Sequence, residues 1–337
     1  MFRRWARLLT RQSANEDGFA LIMVAACMPA LLGIAALMVD VGHAYSERRH
    51  LQNAADAAAL AAASYLPSTD SAVLAEAQNA AVDFAARNGF TITAADVTFS
   101  STSVVNDTAH VATHSTVNMS FAHAIGISTT AVQAHGGAAL GSMAGGVGVL
   151  PWGMSPPPGG FVFGQQYCMK LAALGKCSTG TPSDFNLINV DDSGNSSGSY
   201  YSELIKTGSE TVVRTGQFKD IVTGDKSGPT DQGVGCTGNG GRLTGNTQTF
   251  SDVIQTNADG SYTVLDWSSP RLALIPVIQT VSASQVLVTG FAVFFIDDCG
   301  PKASVVGQFI DTVVPNGIWG PYYAGTDYGS RSVRLVD

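Results

Sequence analysis

The 337 residues carry 18 Lys and Arg against 26 Asp and Glu, a formal net charge of -8, and charged residues make up only 13% of the chain. That balance excludes a nucleic-acid binder and a protein drawn by charge to an anionic membrane surface. Low charge with abundant Gly fits a loop-rich exported protein better than a cytosolic helical enzyme, and the length allows one large or two modest domains.

The first predicted element is Phe19 to Val39, FALIMVAACMPALLGIAALMV, an uncharged run between Asp17 and Asp40. At about 1.5 Å per residue it reaches about 32 Å as a helix, enough to cross a bilayer. A cleaved secretory signal has a shorter apolar region closely followed by a small-residue cleavage site. Here helix-forming sequence continues past the run, which argues for a retained span. The competing reading, a core helix of a soluble protein, is weaker because such helices are seldom so uniformly apolar. Arg3, Arg4, Arg7 and Arg11 precede the span and only Arg48 and Arg49 follow it closely. The positive-inside bias therefore places residues 1–18 in the cytoplasm and everything after Val39 outside. Pro29 is expected to bend the helix. Ala26, Ala30 and Gly33 leave room for a second helix to approach, and Cys27 reads as a packing residue.

From Asp40 the helical pattern continues through HLQNAADAAALAAA, His50 to Ala63, and stops before Pro67. A second helix is expected from a Ser68 or Asp70 cap to about Arg87, with Asn88-Gly89 as its C-terminal stop. Val97–Val105 and His110–Met119 alternate around Asn106-Asp107, a hairpin signal. A helical turn at Phe121–Ile125 and a strand near Thr129–Ala134 complete a helix-plus-antiparallel-sheet domain over residues 40–140. Gly, Ala and the run SPPPGG place a linker at 141–160. Residues 161–337 read as a β-rich, sandwich-like exported domain. Its middle is loop-rich, with TVVRTGQF as a pairing segment. Its end holds three consecutive strands, RLALIPVIQT, QVLVTGFAVFFIDD and ASVVGQFIDTVV. FAVFF is apolar on both faces and should be central. The class is thus α+β with one N-terminal transmembrane helix.

Outside the span the cysteines are Cys168, Cys177, Cys236 and Cys299. In an oxidising compartment they give up to two disulfides in any of three pairings, and a zinc site is disfavoured because no close Cys-x-x-Cys pair exists. Other chemistry is equally sparse. Around Ser227, GDKSGP has a faint likeness to a protease nucleophile loop, but His110 and His114 fall on an alternating strand, so a turn is the better reading. Asp191, Ser193 and Asn195 in FNLINVDDSGN offer oxygens for Mg²⁺ or Ca²⁺; a solvated Asx-rich turn is preferred, as are half-buried histidines at 110 and 114. No catalytic, metal or cofactor residue is assigned, and no small-molecule substrate is expected.

Gly18-Phe19, the span with Pro29 and its Val39-Asp40 end, and RRHLQNAADAAALA from Arg48 to Ala61 together resemble the N-terminal region of the TadE/TadG-like proteins of Flp (tight adherence) pilus assembly. FAHAIGISTTAVQAHGGAAL is also similar to that family. The region from Pro151-Trp152-Gly153 through Thr223-Gly224-Asp225 to GFAVFFID is similar to the C-terminal part of some Tad-domain proteins. The resemblance implies a single-pass protein of the bacterial cytoplasmic membrane, non-enzymatic, structural, and partnered by other pilus-assembly proteins or pilins. It also makes Gly18-Phe19 a candidate prepilin-type processing site. Prepilins usually carry Glu at the fifth mature position, where this chain has Met23, so an uncut chain is the expectation. The alternative to an assembly factor is a surface adhesin whose β-rich domain binds an external ligand, with metal assistance at Asp191. An envelope hydrolase using Ser227 is a third and more remote reading.

Overall fold

The computed structural model describes residues 13–171, 180–236, 240–257, 260–299, 304–321 and 327–336. Helix α1 (Ser13–Ala63) is continuous for 51 residues and passes through Pro29, a length of about 77 Å at the ordinary helical rise. Among the described residues it is the one helix long and apolar enough to cross a membrane. Its first half is bare: Phe19, Leu31 and Met38 are exposed. Its second half is seated on the fold. The expected cap follows, since the Asp70 carboxylate accepts from the Ala72 amide at 2.8 Å and opens α2 (Ser71–Arg87). Asn88 closes α2, and Gly89 takes the positive φ that a Gly tolerates.

Strands β1 (Val97–Ser100) and β2 (Thr108–Asn118) pair antiparallel, with Val97 opposite Val111. The predicted first strand ran on to Val105, but β1 ends earlier. Buried Asp107 accepts from the amides of Thr102, Ser103 and Val104 and folds those residues into a loop. A 3₁₀ turn (Ala122–Ile125) leads into β3 (Thr129–Gly146), which lies antiparallel along all of β2. β3 overruns the expected end at Ala134 and absorbs residues 141–146, which composition assigns to the linker. Its glycines are there because neighbours crowd the backbone. A Cβ on Gly136 would lie 2.5 Å from the Ala55 carbonyl carbon, and one on Gly141 would lie 2.5 Å from Trp319 Nε1.

The chain continues with β4 (Trp152–Met154), β5 (Gln166–Leu171), β6 (Thr181–Leu187), α3 (Gly198–Thr207), β7 (Val213–Arg214), β8 (Phe218–Asp220) and α4 (Ser227–Val234). After a helical turn, α5 (Phe250–Val253), come β9 (Ile254–Thr256), β10 (Tyr262–Val264), β11 (Leu272–Thr280), β12 (Gln285–Cys299) and β13 (Val305–Ile310). The three strands expected near the end of the chain are β11, β12 and β13. Among the described residues, pairing runs β12–β13–β5–β6–β4–β11 and back to β12. The β-rich part is therefore a closed ring, where a sandwich would stack two separate sheets. Its interior takes alternate residues: Trp152, Phe185, Ile275, Phe294 and Phe309 are all buried there, as a narrow barrel filled by side chains requires. Phe291, Val293 and Phe295 on the other face of β12 are buried as well, so this strand is apolar on both faces as predicted.

The first sheet is not made by residues 40–140 alone. β14 (Thr312–Val313), β15 (Ile318–Gly320) and β16 (Ser330–Val336) return to it. β16 runs antiparallel along β3 from Val336 opposite Gly137 to Arg331 opposite Ser142, and β15 and β7 pair with the far end of β3.

Candidate functional site

The surface with the clearest architecture is the face of α1 beyond Val39, because the chain binds it to the first sheet and to the loop between β2 and β3 at four levels. Asp40 is 3% exposed, and its carboxylate accepts from the amides of Ser120, Phe121 and Ala122 at 2.8, 2.9 and 2.6 Å. Two turns on, Glu47 accepts from the Ser115 hydroxyl at 2.9 Å. The Leu51 carbonyl accepts from Thr113 Oγ1 at 3.1 Å. Gln52 Nε2 then donates both to Asp56, one turn away, and to the His135 carbonyl on β3 at 2.7 Å. That last bond pins the helix beside Gly136, where an added Cβ would meet the backbone of Ala55 and Asp56.

The rest of the seat is built from small residues. Ala55, Ala58, Ala59 and Ala62 are wholly buried, as are Ala77, Ala81 and Ala85, which recur every fourth residue along α2. Alanine at these positions removes apolar surface from water while letting helix axes and the sheet approach closely. The polar and small residues of LQNAADAAALAAA thus have distinct tasks. Gln52 and Asp56 hold the register, and the alanines set the distance.

Residues 18–64 match the Tad family model, Flp pilus-assembly TadE/G-like. The matched segment is the apolar half of α1 and its seat, from Gly18 to just past the helix's last residue. No curated protein and no solved structure matches the chain. The match supports involvement in Flp pilus assembly, and the apolar helix is consistent with a single-pass membrane anchor.

The other residues singled out from sequence lie apart from this seat and from each other. Gly18 and Phe19 lie within α1, with Phe19 65% exposed. His110 shares a 2.8 Å hydrogen bond with Ser100 across the β1–β2 pair, and His114 is exposed on the same strand. Asp191 accepts from Tyr200 and Thr211 through its two oxygens. Ser193 donates to Asn189, and Asn195 accepts from the Ser197 amide. Buried Lys219 reaches Asp192 at 2.7 Å and the Val190 carbonyl, fastening this turn from below. Ser227 bonds Asp225 through both its amide and its hydroxyl. Cys236 and Cys299 form a disulfide that ties the end of α4 to the end of β12. Cys168 is disulfide-bonded as well, and Cys177 lies outside the described residues.

Sequence reading missed one feature. A cleft of about 400 Å³ separates the helix pair from the barrel side, and its lining includes Tyr65, Phe84, Tyr262, Trp267, Asp311 and Arg331. Arg331 donates to Asp311 at 2.7 Å and to Asp327 at 3.1 Å. Burial raises the Asp311 carboxyl to about 6 against the attraction of Arg331, with Asp327 adding to the rise. Its residues come from five separate stretches, so no local motif announces it.

Proposed function

We propose that this protein is a non-enzymatic, membrane-anchored structural component of Flp-type pilus assembly, with its N-terminus in the cytoplasm and its folded part outside. The observation that carries the reading is that the segment matched by the Tad model is one unbroken helix whose first half is bare and apolar and whose second half is locked onto a sheet. Such a piece transmits position from the membrane to the exterior. The partners are other pilus-assembly proteins or pilins, packed against the span or the exported surface.

Intact mass and N-terminal sequence of the chain from washed membranes and from sheared surface fibres test this. An uncut chain in membranes, with surface fibres lost when the chain is removed, is the expected result. A chain starting at Phe19 within fibres makes it a processed subunit. Fibres that persist unchanged without the chain overturn the reading.

The aromatic cleft favours a second reading, an adhesin that binds an external ligand there. Trp267→Ala would then reduce surface attachment while fibre number stays constant. Deleting residues 161–337 is unsuitable for this purpose, since it removes β7 and β14–β16 from the first sheet.

A further inference from the structure

We propose that the loop from Ser120 to Ile127 is a second membrane contact, one that dips into the outer leaflet beside the span. The inference rests on the reading of α1 as a membrane anchor and extends it to a part of the chain far away in sequence.

Three observations place the loop at the bilayer surface. The first is its height. Asp40 directly follows the last residue of the apolar run, and its carboxylate holds three consecutive amides of the loop. The second is a change of exposure on the helix face below Asp40. Ala36 lies on the same face one turn before Asp40, about 6 Å nearer the membrane centre. It is half-buried, whereas the residues of the span from Phe19 to Ala35 are all exposed. The third is composition. Phe121, Ile125 and Ile127 are 49%, 69% and 49% exposed, and no Lys, Arg, Asp or Glu occurs between Asp107 and Lys170.

In water these three side chains would form an apolar projection with nothing over it. At the boundary of headgroups and acyl chains they bury their area with His123 as the one titratable side chain of the loop and the Asp40 carboxylate already bonded to three amides, in the manner of interfacial segments that insert about 5–10 Å. Tyr45, exposed on α1 a little more than one turn beyond Asp40, sits where aromatic side chains with a polar tip gather. The Asp40 carboxylate is what makes the loop's depth definite. Without it three backbone amides near the membrane surface would lose their partner, and the loop would be free to lift.

The test uses the full chain in vesicles of phosphatidylethanolamine and phosphatidylglycerol. Photoreactive benzoylphenylalanine replaces Phe121, Ile125 or Ile127 in turn, and lipid adducts are read by mass spectrometry. Leu31, in the span, is the positive reference. Val105 is the negative one: it is exposed in the loop between β1 and β2, beyond the opposite end of β2, about 35 Å away along the strand. Lipid adducts at the three loop positions should exceed those at Val105 by about tenfold. Adducts no more frequent than at Val105 while Leu31 labels lipid, or cross-links to a second copy of the chain instead, would overturn the proposal. Absence of lipid at Leu31 would overturn the anchor reading itself. Asp40→Ala should cut the yield at Ile125 several-fold and leave Leu31 unchanged; an undiminished yield removes Asp40 from its assigned role.

Discussion

The helix seat and the barrel interior both hold clusters of fully buried apolar side chains, yet they are built on opposite rules. At the seat, alanines of α1 and α2 and the glycines of β3 bring backbones together. In the barrel, Trp152, Phe185, Phe294 and Phe309 fill space between strands that stay apart. A residue added to the first has nowhere to go, and a residue removed from the second leaves a hole. Burial alone therefore does not say which substitutions a core tolerates; the distance between backbones does.

The comparison is broken most directly by truncation in the barrel. Phe294→Ala removes a ring packed 4.8 Å from that of Phe309 and should cost about 3–5 kcal/mol, measured by denaturant unfolding of the full chain in detergent. A cost no larger than that of Ala59→Gly would end the distinction. Enlargement at the seat comes next. Gly136→Ala should cost toward the upper end of about 1–3 kcal/mol, because the atoms it meets are the backbone of Ala55 and Asp56. Gly33→Ala, with nothing within 4 Å, is the neutral control in the same assay.

The border between the two regions has a pH signature. Folding holds the Asp311 carboxyl at about 6 against the usual 3.8, so the folded state keeps a proton that the unfolded chain has released between those values. The stabilisation this confers is complete below the unfolded value and is lost as pH rises through 6. Allowing for partial exposure, the wild type should lose roughly 2 kcal/mol relative to Asp311→Asn between pH 4 and 7, read as the gap between their thermal melts at each pH. A gap that stays constant would show that Asp311 is not buried as described. The smallest effect belongs to the edge of the seat. Asp70→Ala removes the cap of α2 and should cost about 1 kcal/mol, visible as a modest fall in the melting temperature.

Much of this fold is legible in sequence because local pattern and tertiary role agree. The uncharged run, the alanine-rich helix, the Asp70 cap and the doubly apolar FAVFF each state their surroundings in adjacent residues. β3 shows the converse. Its Gly and Ala read as a linker because flexibility is the local meaning of such composition. Its actual cause is the crossing of α1 at Gly136 and of Trp319 at Gly141, residues distant in sequence. The return of β14–β16 to the first sheet is hidden for the same reason: a strand's own residues specify its faces and leave its neighbour open. Of the site, the LQNAAD motif is visible as a pattern, but the partners of Asp40, Glu47 and Gln52 are not, since each bond closes across more than sixty residues.

With α1 as the anchor proposed above, its unbroken run from the apolar half to the seat makes orientation in the membrane and orientation of the folded part a single variable. Each residue turns a helix by about 100°. The azimuth between the Ala26, Ala30 and Gly33 side and the Leu51, Ala55 and Ala58 side is thus fixed by a residue count. One residue inserted between Ile34 and Leu37 would swing any neighbour docked in the bilayer about a quarter of the way around the folded part. The helix behaves as a keyed shaft, and its length in residues is the key.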